Sequence, residues 1–365
     1  MKGTFKAWLK KHREDYFGNE AVGLGCFNYH PYDVAWAVTK LCNLSCAHCS
    51  INASPNATRE GELNTEEGLA LIEDVAKLGS VKFVITGGEA LLREDIFELI
   101  KCATSNGTVV ELASNGLLID EDVAKRLKDL GVYRAAISMD GIGEMHDRFR
   151  GAKGAFQKTM RAVKACKKVG LKVQFHVTMT KANLRQLSRI IKLADRYQVD
   201  RIYIGTLISI GRGRQISQAC LSGKEIKQIF STVIDQQPKT NVWLRPVCPQ
   251  FWAFLKSEGL INGDEGREFI GCTAGISSFH IRPNGDVTLC AELPLKIGNV
   301  RKKPFTTIVE EAEILQKFKD RKNEIGGNCA DCRYLSACGG CRARAYTVRG
   351  DIFAADPVCF LNTAR

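Results

Sequence analysis

Between about residues 34 and 236 a short apolar run alternates with an amphipathic stretch, six times over, and this regularity limits the fold more than anything else in the sequence. Val34–Thr39, Val81–Thr86, Val109–Ala113, Ala135–Met139, Val173–Met179 and Arg201–Ile208 read as strands. The stretches between them have helical periodicity. Asn64 and Glu67 form a capping box ahead of the stripe Leu69, Ile72, Val75 and Leu78, and Gly79 stops that helix. Ile96 with Ile100, Asp120–Leu130, Phe156 with Met160 and Val163, Leu184–Tyr197 and Lys224–Asp235 mark the others. Strand–helix units in series imply a parallel sheet, and right-handed crossovers curl it into a partial (β/α)6 TIM-like barrel, an α/β fold. Active sites in such barrels lie where strands end and helices begin. The special residues of this chain fall there: CNLSCAHC after the first strand, TGGEA after the second, SNG after the third and SMDG after the fourth.

After residue 237 the character changes. Pro238, Pro246 and Pro249 appear with many Gly and Cys, and Phe279–Arg282, the turn Pro283-Asn284-Gly285-Asp286 and Val287–Cys290 read as a β-hairpin. The tail from Cys329 to Cys359 has little apolar periodicity, as expected of a segment held by metal rather than by a core. The expected division is an N-terminal segment 1–33, a barrel 34–236 and a cysteine-rich domain 237–365. The N-terminal segment reads as a basic amphipathic helix, with Phe5, Trp8, Leu9 and His12 on the face that docks on the rest of the protein.

Fifteen cysteines in a chain whose N-terminus is too charged for a signal peptide point to a reducing cytoplasm and to metal rather than disulfides. No apolar run approaches the ~18 residues that span a bilayer, so no membrane is expected as a partner. The net charge of +12 favours anionic partners. Aromatic residues, 8% of the chain, are not interleaved with Lys and Arg, which argues against nucleic acid. Cys26, Cys102, Cys166 and Cys220 stand alone and read as small apolar residues. Cys42, Cys46 and Cys49 lie within eight residues. Zinc would need a fourth ligand, and His48, adjacent to Cys49, cannot easily join all three thiolates around one tetrahedron, so the spacing favours iron–sulfur with one open metal site.

The CxxxCxxC loop together with TGGEA resembles the radical S-adenosylmethionine (radical SAM) superfamily over residues 34–236. That resemblance implies a [4Fe–4S] cluster on Cys42, Cys46 and Cys49, whose open iron chelates the amino and carboxylate groups of SAM. It implies His48 against the adenine, Gly87 and Gly88 close to the methionyl amino group, and Glu89 paired with that ammonium. It also implies ribose and carboxylate contacts from Ser114, Asn115, Ser138 and Asp140, although SNG and MDG are equally ordinary turn sequences. Ala90 stands where relatives often have Pro. The implied reaction is reductive cleavage of SAM to a 5′-deoxyadenosyl radical, with a small flavodoxin- or ferredoxin-type electron donor as partner.

Cys272, Cys290, Cys329, Cys332, Cys338, Cys341 and Cys359 resemble a SPASM-type auxiliary-cluster extension, although this chain has x2 before Cys341 where x3 is usual. CxxC pairs also suit a zinc ribbon. The resemblance implies one cluster on Cys329, Cys332, Cys338 and Cys359, and Cys272, Cys290 and Cys341 contributing to another. Cys248 reads as a fourth ligand, a substrate-facing hydrogen donor or an inert thiol. From GCTAG to DPVC the chain looks most like radical SAM proteins that modify tetrapyrrole side chains in alternative haem synthesis. It is also similar to peptide-modifying SPASM enzymes and to sugar or aminocyclitol oxidases and epimerases. Only about 33 residues precede the first strand, which weighs against a peptide leader-binding module. A non-enzymatic electron-transfer protein would need the cysteines but not TGGE. Arg212 and Arg214, after the sixth strand, and Arg245 are the expected clamps for substrate carboxylates, though a solvated arginine loop reads equally well. Among the lone histidines His30, His146, His176 and His280, His176 is the candidate for acid–base work beside Cys248.

Overall fold

The computed structural model describes residues 2–12, 32–79, 81–261 and 271–362; Cys26 and His30 lie outside them. Ten strands form one sheet: β1 Asp33–Ala37, β2 Lys82–Thr86, β3 Val109–Ser114, β4 Arg134–Ser138, β5 Lys172–Met179, β6 Arg201–Thr206, β7 Trp243–Pro246, β8 Ser278–Ile281, β9 Asp286–Cys290 and β10 Leu293–Asn299. Their spatial order is β10-β9-β8-β1-β2-β3-β4-β5-β6-β7. β1 to β7 are parallel neighbours in chain order, so the six expected β/α units are present as a partial barrel. β7 adds a seventh parallel strand that the sequence reading did not include. β8 also pairs in parallel with β1, Asp33 opposite Ser278 and Trp36 opposite Ile281. The sheet therefore runs unbroken across the expected boundary at residue 237.

Strand alternation explains why this barrel is hollow. Val34, Trp36, Phe83, Ile85, Val110, Leu112, Phe175 and Ile202 point outward and pack under the helices. Inward stand Lys82, Glu111, Gln174, His176 and Tyr203 together with the small residues Ala35, Ala37, Ala113, Ala136 and Gly205. The small positions leave the interior unfilled, and a cavity of about 560 Å³ lies there.

The first helix, Thr65–Ala76, starts at Asn64: its side chain accepts from Glu67 N, and Glu67 bonds back to Asn64 N. Such a cap contributes about 1 kcal/mol. Glu67 also receives Arg301 (Nε 2.6 Å and Nη2 2.8 Å), and Asp74 accepts from Thr306 N at 3.0 Å, capping the helix Phe305–Glu311. Two such ties fasten the C-terminal segment to the barrel. The turn at Gly285, with φ +82°, joins β8 to β9 as expected. β10 and the helix Arg342–Arg349 were not foreseen. The N-terminal helix Lys2–Lys11 buries Phe5 and Leu9, and the Trp8 ring meets Trp243 edge-on at 5.6 Å. Among the described residues no helix is long and apolar enough to cross a membrane.

Candidate functional site

The loop after β1 is closed by its own backbone bonds. Cys42 N donates to Ser54 O (3.1 Å) and Ser54 N to Lys40 O (3.3 Å), closing the loop at its base. Ala53 N donates to Cys49 Sγ at 3.3 Å, and Arg150 Nη1 lies 3.8 Å from Cys46 Sγ. Cys42, Cys46, Leu44 and Ala53 form a small buried cluster. Burial pushes the Cys42 thiol up to about 11. Burial also raises Cys46, against the pull of Arg150. Three clustered, largely buried sulfurs, two of them facing N–H donors, suit a centre that demands thiolates and supplies their counter-charge. The residues present therefore fit an iron–sulfur cluster.

TGGE lies flush against the start of this loop. Gly88 N donates to Thr39 O (2.7 Å) and Glu89 N to Leu41 O (2.9 Å). A Cβ on Gly88 would sit 2.2 Å from Leu41 O, and one on Gly87, whose φ is +145°, would sit 2.7 Å from Thr39 O. Any side chain there would push the cysteine loop away. This is a reason for the glycines additional to close approach by a ligand; both also line the cavity.

Glu89 is fully buried and does not line the cavity. Its carboxylate accepts from Ser114 Oγ and from Asn115 N, both at 2.9 Å, and burial raises its pKa. Its observed contacts thus tie the end of β2 to the end of β3, whereas the resemblance implied an ammonium partner. Ser114, Asn115 and Ser138 do line the cavity. Asn115 Nδ2 donates to Asn43 Oδ1 at 2.7 Å, reaching back to the cysteine loop.

Asp140, expected beside the cofactor, is fully buried and does not itself line the cavity; it is taken up by Arg150 Nη2 (2.5 Å) and Thr178 N (2.9 Å), with His48 Nε2 at 3.9 Å. Burial opposes its charge, but Arg150, His48 and His146 outweigh that and hold its pKa below the ordinary value. Asp140 thereby fixes Arg150, which in turn faces Cys46. The sequence reading missed Arg150 because nothing local marks it; only the fold carries it back across the barrel rim. His48 lines the cavity with its ring 4.9 Å from Phe149, and burial lowers it to about 4, so it is neutral.

The three arginines expected as carboxylate clamps stand in different surroundings. Arg212 lines the cavity, but its side chain donates to Cys46 O (Nε, 2.8 Å) and Ala53 O (Nη2, 2.7 Å). It braces the cysteine loop from behind. Arg214 is exposed, Arg245 is half-buried on β7, and neither lines the cavity.

His176 lines the cavity, stacked on Tyr203 at 4.8 Å, and burial lowers it to about 4. His280 also lines it and is lowered by burial to about 3. His146 is structural: its Nδ1 accepts from Asp140 N at 3.2 Å.

Across the cavity stand Cys248, Cys272, Cys290 and Cys341, with Glu292 and Arg344. Burial lifts the Glu292 carboxyl to about 7. Glu292 went unremarked in the sequence, where its one signal is its place two residues after Cys290. Cys248 Sγ lies 3.6 Å from Gln250 Oε1 and 4.0 Å from Arg344 Nη2. Cys329, Cys332, Cys338 and Cys359 line a separate cavity of about 140 Å³. Between the two runs a buried ion pair: Arg344 Nε and Nη2 each lie 2.7 Å from Asp356, which also accepts from Cys341 N at 2.7 Å.

Residues 36–194 match the radical SAM superfamily, and residues 272–333 match an iron–sulfur cluster-binding domain, SPASM. An AdoMet-dependent heme synthase of Methanosarcina barkeri is 33% identical over 345 residues, covering 92% of this chain and 98% of the relative. The chain belongs to the radical SAM superfamily. A second AdoMet-dependent heme synthase, from Oleidesulfovibrio alaskensis, is 35% identical over 336 residues, 89% of this chain and 86% of that one. A pre-heme d1 synthase of Dinoroseobacter shibae is 29% identical over 354 residues, 91% and 86% of the two chains. The crystal structure of Streptococcus suis SuiB bound to S-adenosylmethionine superposes with a TM-score of 0.73 at 18% identity, covering 97% of this chain and 80% of that chain, which shows the shared fold. As a radical SAM enzyme with a SPASM domain, this protein uses SAM, a [4Fe–4S] cluster and auxiliary iron–sulfur centres.

Proposed function

We propose that this radical SAM enzyme modifies the carboxylate side chains of a haem-type tetrapyrrole, by oxidative decarboxylation or a related step. One observation carries the reading: similarity to proteins named heme synthases extends over nearly the whole chain at 33–35% identity. Peptide-modifying relatives such as a PqqA peptide cyclase and a mycofactocin maturase are 27% identical. Of the cations lining the cavity, Arg150, Arg344 and Lys82 are paired with Asp140, Asp356 and Asp33, and Arg212, held by two loop carbonyls, has no carboxylate partner among the described residues; Glu292, raised by burial to about 7, stands on the facing wall.

In this reading residues 34–236 carry the radical chemistry and 237–365 the auxiliary centres. Cys42, Cys46 and Cys49 hold the SAM-binding cluster. Gly87, Gly88, Ser114, Asn115, Ser138 and His48 bound the SAM side of the cavity. Cys329, Cys332, Cys338 and Cys359 hold one auxiliary cluster, and Cys272, Cys290 and Cys341, with Cys248 beside them, hold another. When bound, the cluster and SAM supply one-electron cleavage of a sulfonium, giving a carbon radical able to take hydrogen from an unactivated C–H bond. The protein's share is placement and dryness. Arg212 and Arg150 fix the cysteine loop, neutral His48 offers an uncharged ring face, and the small inward residues leave room for a bulky planar substrate. Glu292, when protonated, meets a substrate carboxylate without repulsion. A small flavodoxin- or ferredoxin-type protein supplies the electron.

Anaerobic incubation of the reconstituted protein with SAM, reductant and an iron tetrapyrrole bearing propionates tests the reading by mass spectrometry. Loss of a carboxyl group from the tetrapyrrole, with 5′-deoxyadenosine formed, is expected. SAM cleavage with every such tetrapyrrole left intact would remove this substrate class and leave the radical SAM assignment standing.

A further inference from the structure

The helix Arg342–Arg349 begins directly after Cys341 and carries two deeply buried arginines, Arg342 and Arg344, that are treated very differently. Arg344 faces a full counter-charge, the Asp356 carboxylate, at 2.7 Å through both Nε and Nη2. Arg342 is 0% exposed, and its Nη1 donates to two backbone carbonyls, Ile352 O at 2.7 Å and Ala354 O at 2.8 Å. Its Nε and Nη2 have no hydrogen-bond partner among the described residues. A guanidinium cannot shed its proton, so burying one with two donor nitrogens unmet is costly unless something anionic faces it.

The surroundings indicate where that anion belongs. A Cβ on Gly340 would sit 2.7 Å from Arg342 Nη2, so the guanidinium lies directly behind Gly340. Gly340 is part of the wall of the smaller cavity that Cys329, Cys332, Cys338 and Cys359 line, as are Ala355 and Asp356, which follow the carbonyls Arg342 holds. Four thiolates around an iron–sulfur cube carry net negative charge, and donors aimed at the sulfurs make it easier to add one more electron.

We propose that Arg342 is a positioning residue for the iron–sulfur centre of the smaller cavity, its unpartnered Nε and Nη2 turned toward that centre behind Gly340 and raising its reduction potential. The inference rests on the assignment of Cys329, Cys332, Cys338 and Cys359 to an auxiliary cluster. Asp356 stands on the same wall, but its carboxylate is already held by Arg344 through Nε and Nη2, so Arg342 is the cation there whose donors are left unmet.

The test is an anaerobic redox titration of the full-length holoenzyme followed by electron paramagnetic resonance, with iron content measured alongside. A Cys332→Ala variant identifies the signal of the smaller cavity by its loss. In Arg342→Met that signal is expected at a more negative midpoint potential, with the other centres unmoved. Arg342→Lys, which keeps the charge and loses the planar fork, is expected to retain the full iron content with an intermediate midpoint. An unshifted potential in Arg342→Met, or loss of the centre from Arg342→Lys, would overturn the proposal. If the wild-type protein has no signal that Cys332→Ala removes, the cluster assignment itself fails, which is a separate and recognisable outcome.

Discussion

The cysteine loop of the barrel and the cysteine segment near the C-terminus solve the same problem by opposite means. In the barrel, three thiols sit within eight residues on a loop closed by its own backbone bonds, braced by Arg212 and pressed against TGGE. Near the C-terminus, the thiols of the smaller cavity stand on pieces as short as Gly327–Cys329 and Leu335–Cys338. Buried charge is left there for something else to balance. The difference leads to the expectation that the first loop keeps its shape without iron, whereas the second segment gains part of its order from what it binds.

Removing iron should expose this contrast most strongly. In chelated protein, amide exchange across 327–341 is expected to rise by orders of magnitude, since metal binding there is also folding energy. β1 to β4 and the loop base at Cys42 and Ser54 should keep most of their protection. Equal loss of protection in both regions would erase the comparison.

Arg212→Met should weaken the advantage of the first region. It deletes two hydrogen bonds from a charged donor to loop carbonyls, a loss of about 3 kcal/mol. The expected result is a more labile SAM-binding cluster, measured as faster iron loss on exposure to air and slower SAM cleavage, with the auxiliary signals intact. A selective rise in KM for the tetrapyrrole, with cluster stability unchanged, would return Arg212 to the role of a substrate clamp.

The barrel interior also predicts an acid sensitivity. His146 and His176 are lowered by burial to about 4 and His280 to about 3. The unfolded chain therefore binds protons first as pH falls. Stability is full above the ordinary histidine value near 6.5 and declines as pH drops toward 4, by roughly 3 kcal/mol for each such group. Denaturant titrations of the cluster-free protein between pH 7 and about 4 measure the slope. His146→Asn, whose amide oxygen can still accept from Asp140 N, should flatten it by one histidine's share; an unchanged slope in that variant would contradict the assignment.

What the sequence disclosed, and what it withheld, follows from range. Period-two alternation and the Asn64–Glu67 box are local, and they placed β1 to β6 and the first helix. The turn at Gly285 is local, and it placed β8 and β9. The resemblance to SPASM-type extensions, not spacing alone, sorted the C-terminal thiols into two sets, and these line different cavities. β7 and β10 are short or irregular runs whose strand character comes from their neighbours. Asp140 and Arg212 read as rim residues of their own segments and Arg150 carries no local mark at all, but each finds its partner on another element of the barrel, which no window of sequence reveals. Glu89 has the same history, with its partners 25 and 26 residues on.

The ladder between β8 and β1 has a mechanical consequence. Both walls of the reaction chamber, one bearing the first thiol loop and the other bearing Cys290, belong to one hydrogen-bonded fabric. The auxiliary half cannot swing open like a jaw without tearing peptide bonds' pairing along four registered positions. A flat guest must therefore slip in edgewise past loops and side chains, and the gap between radical source and far wall is a fixed gauge set by strand geometry.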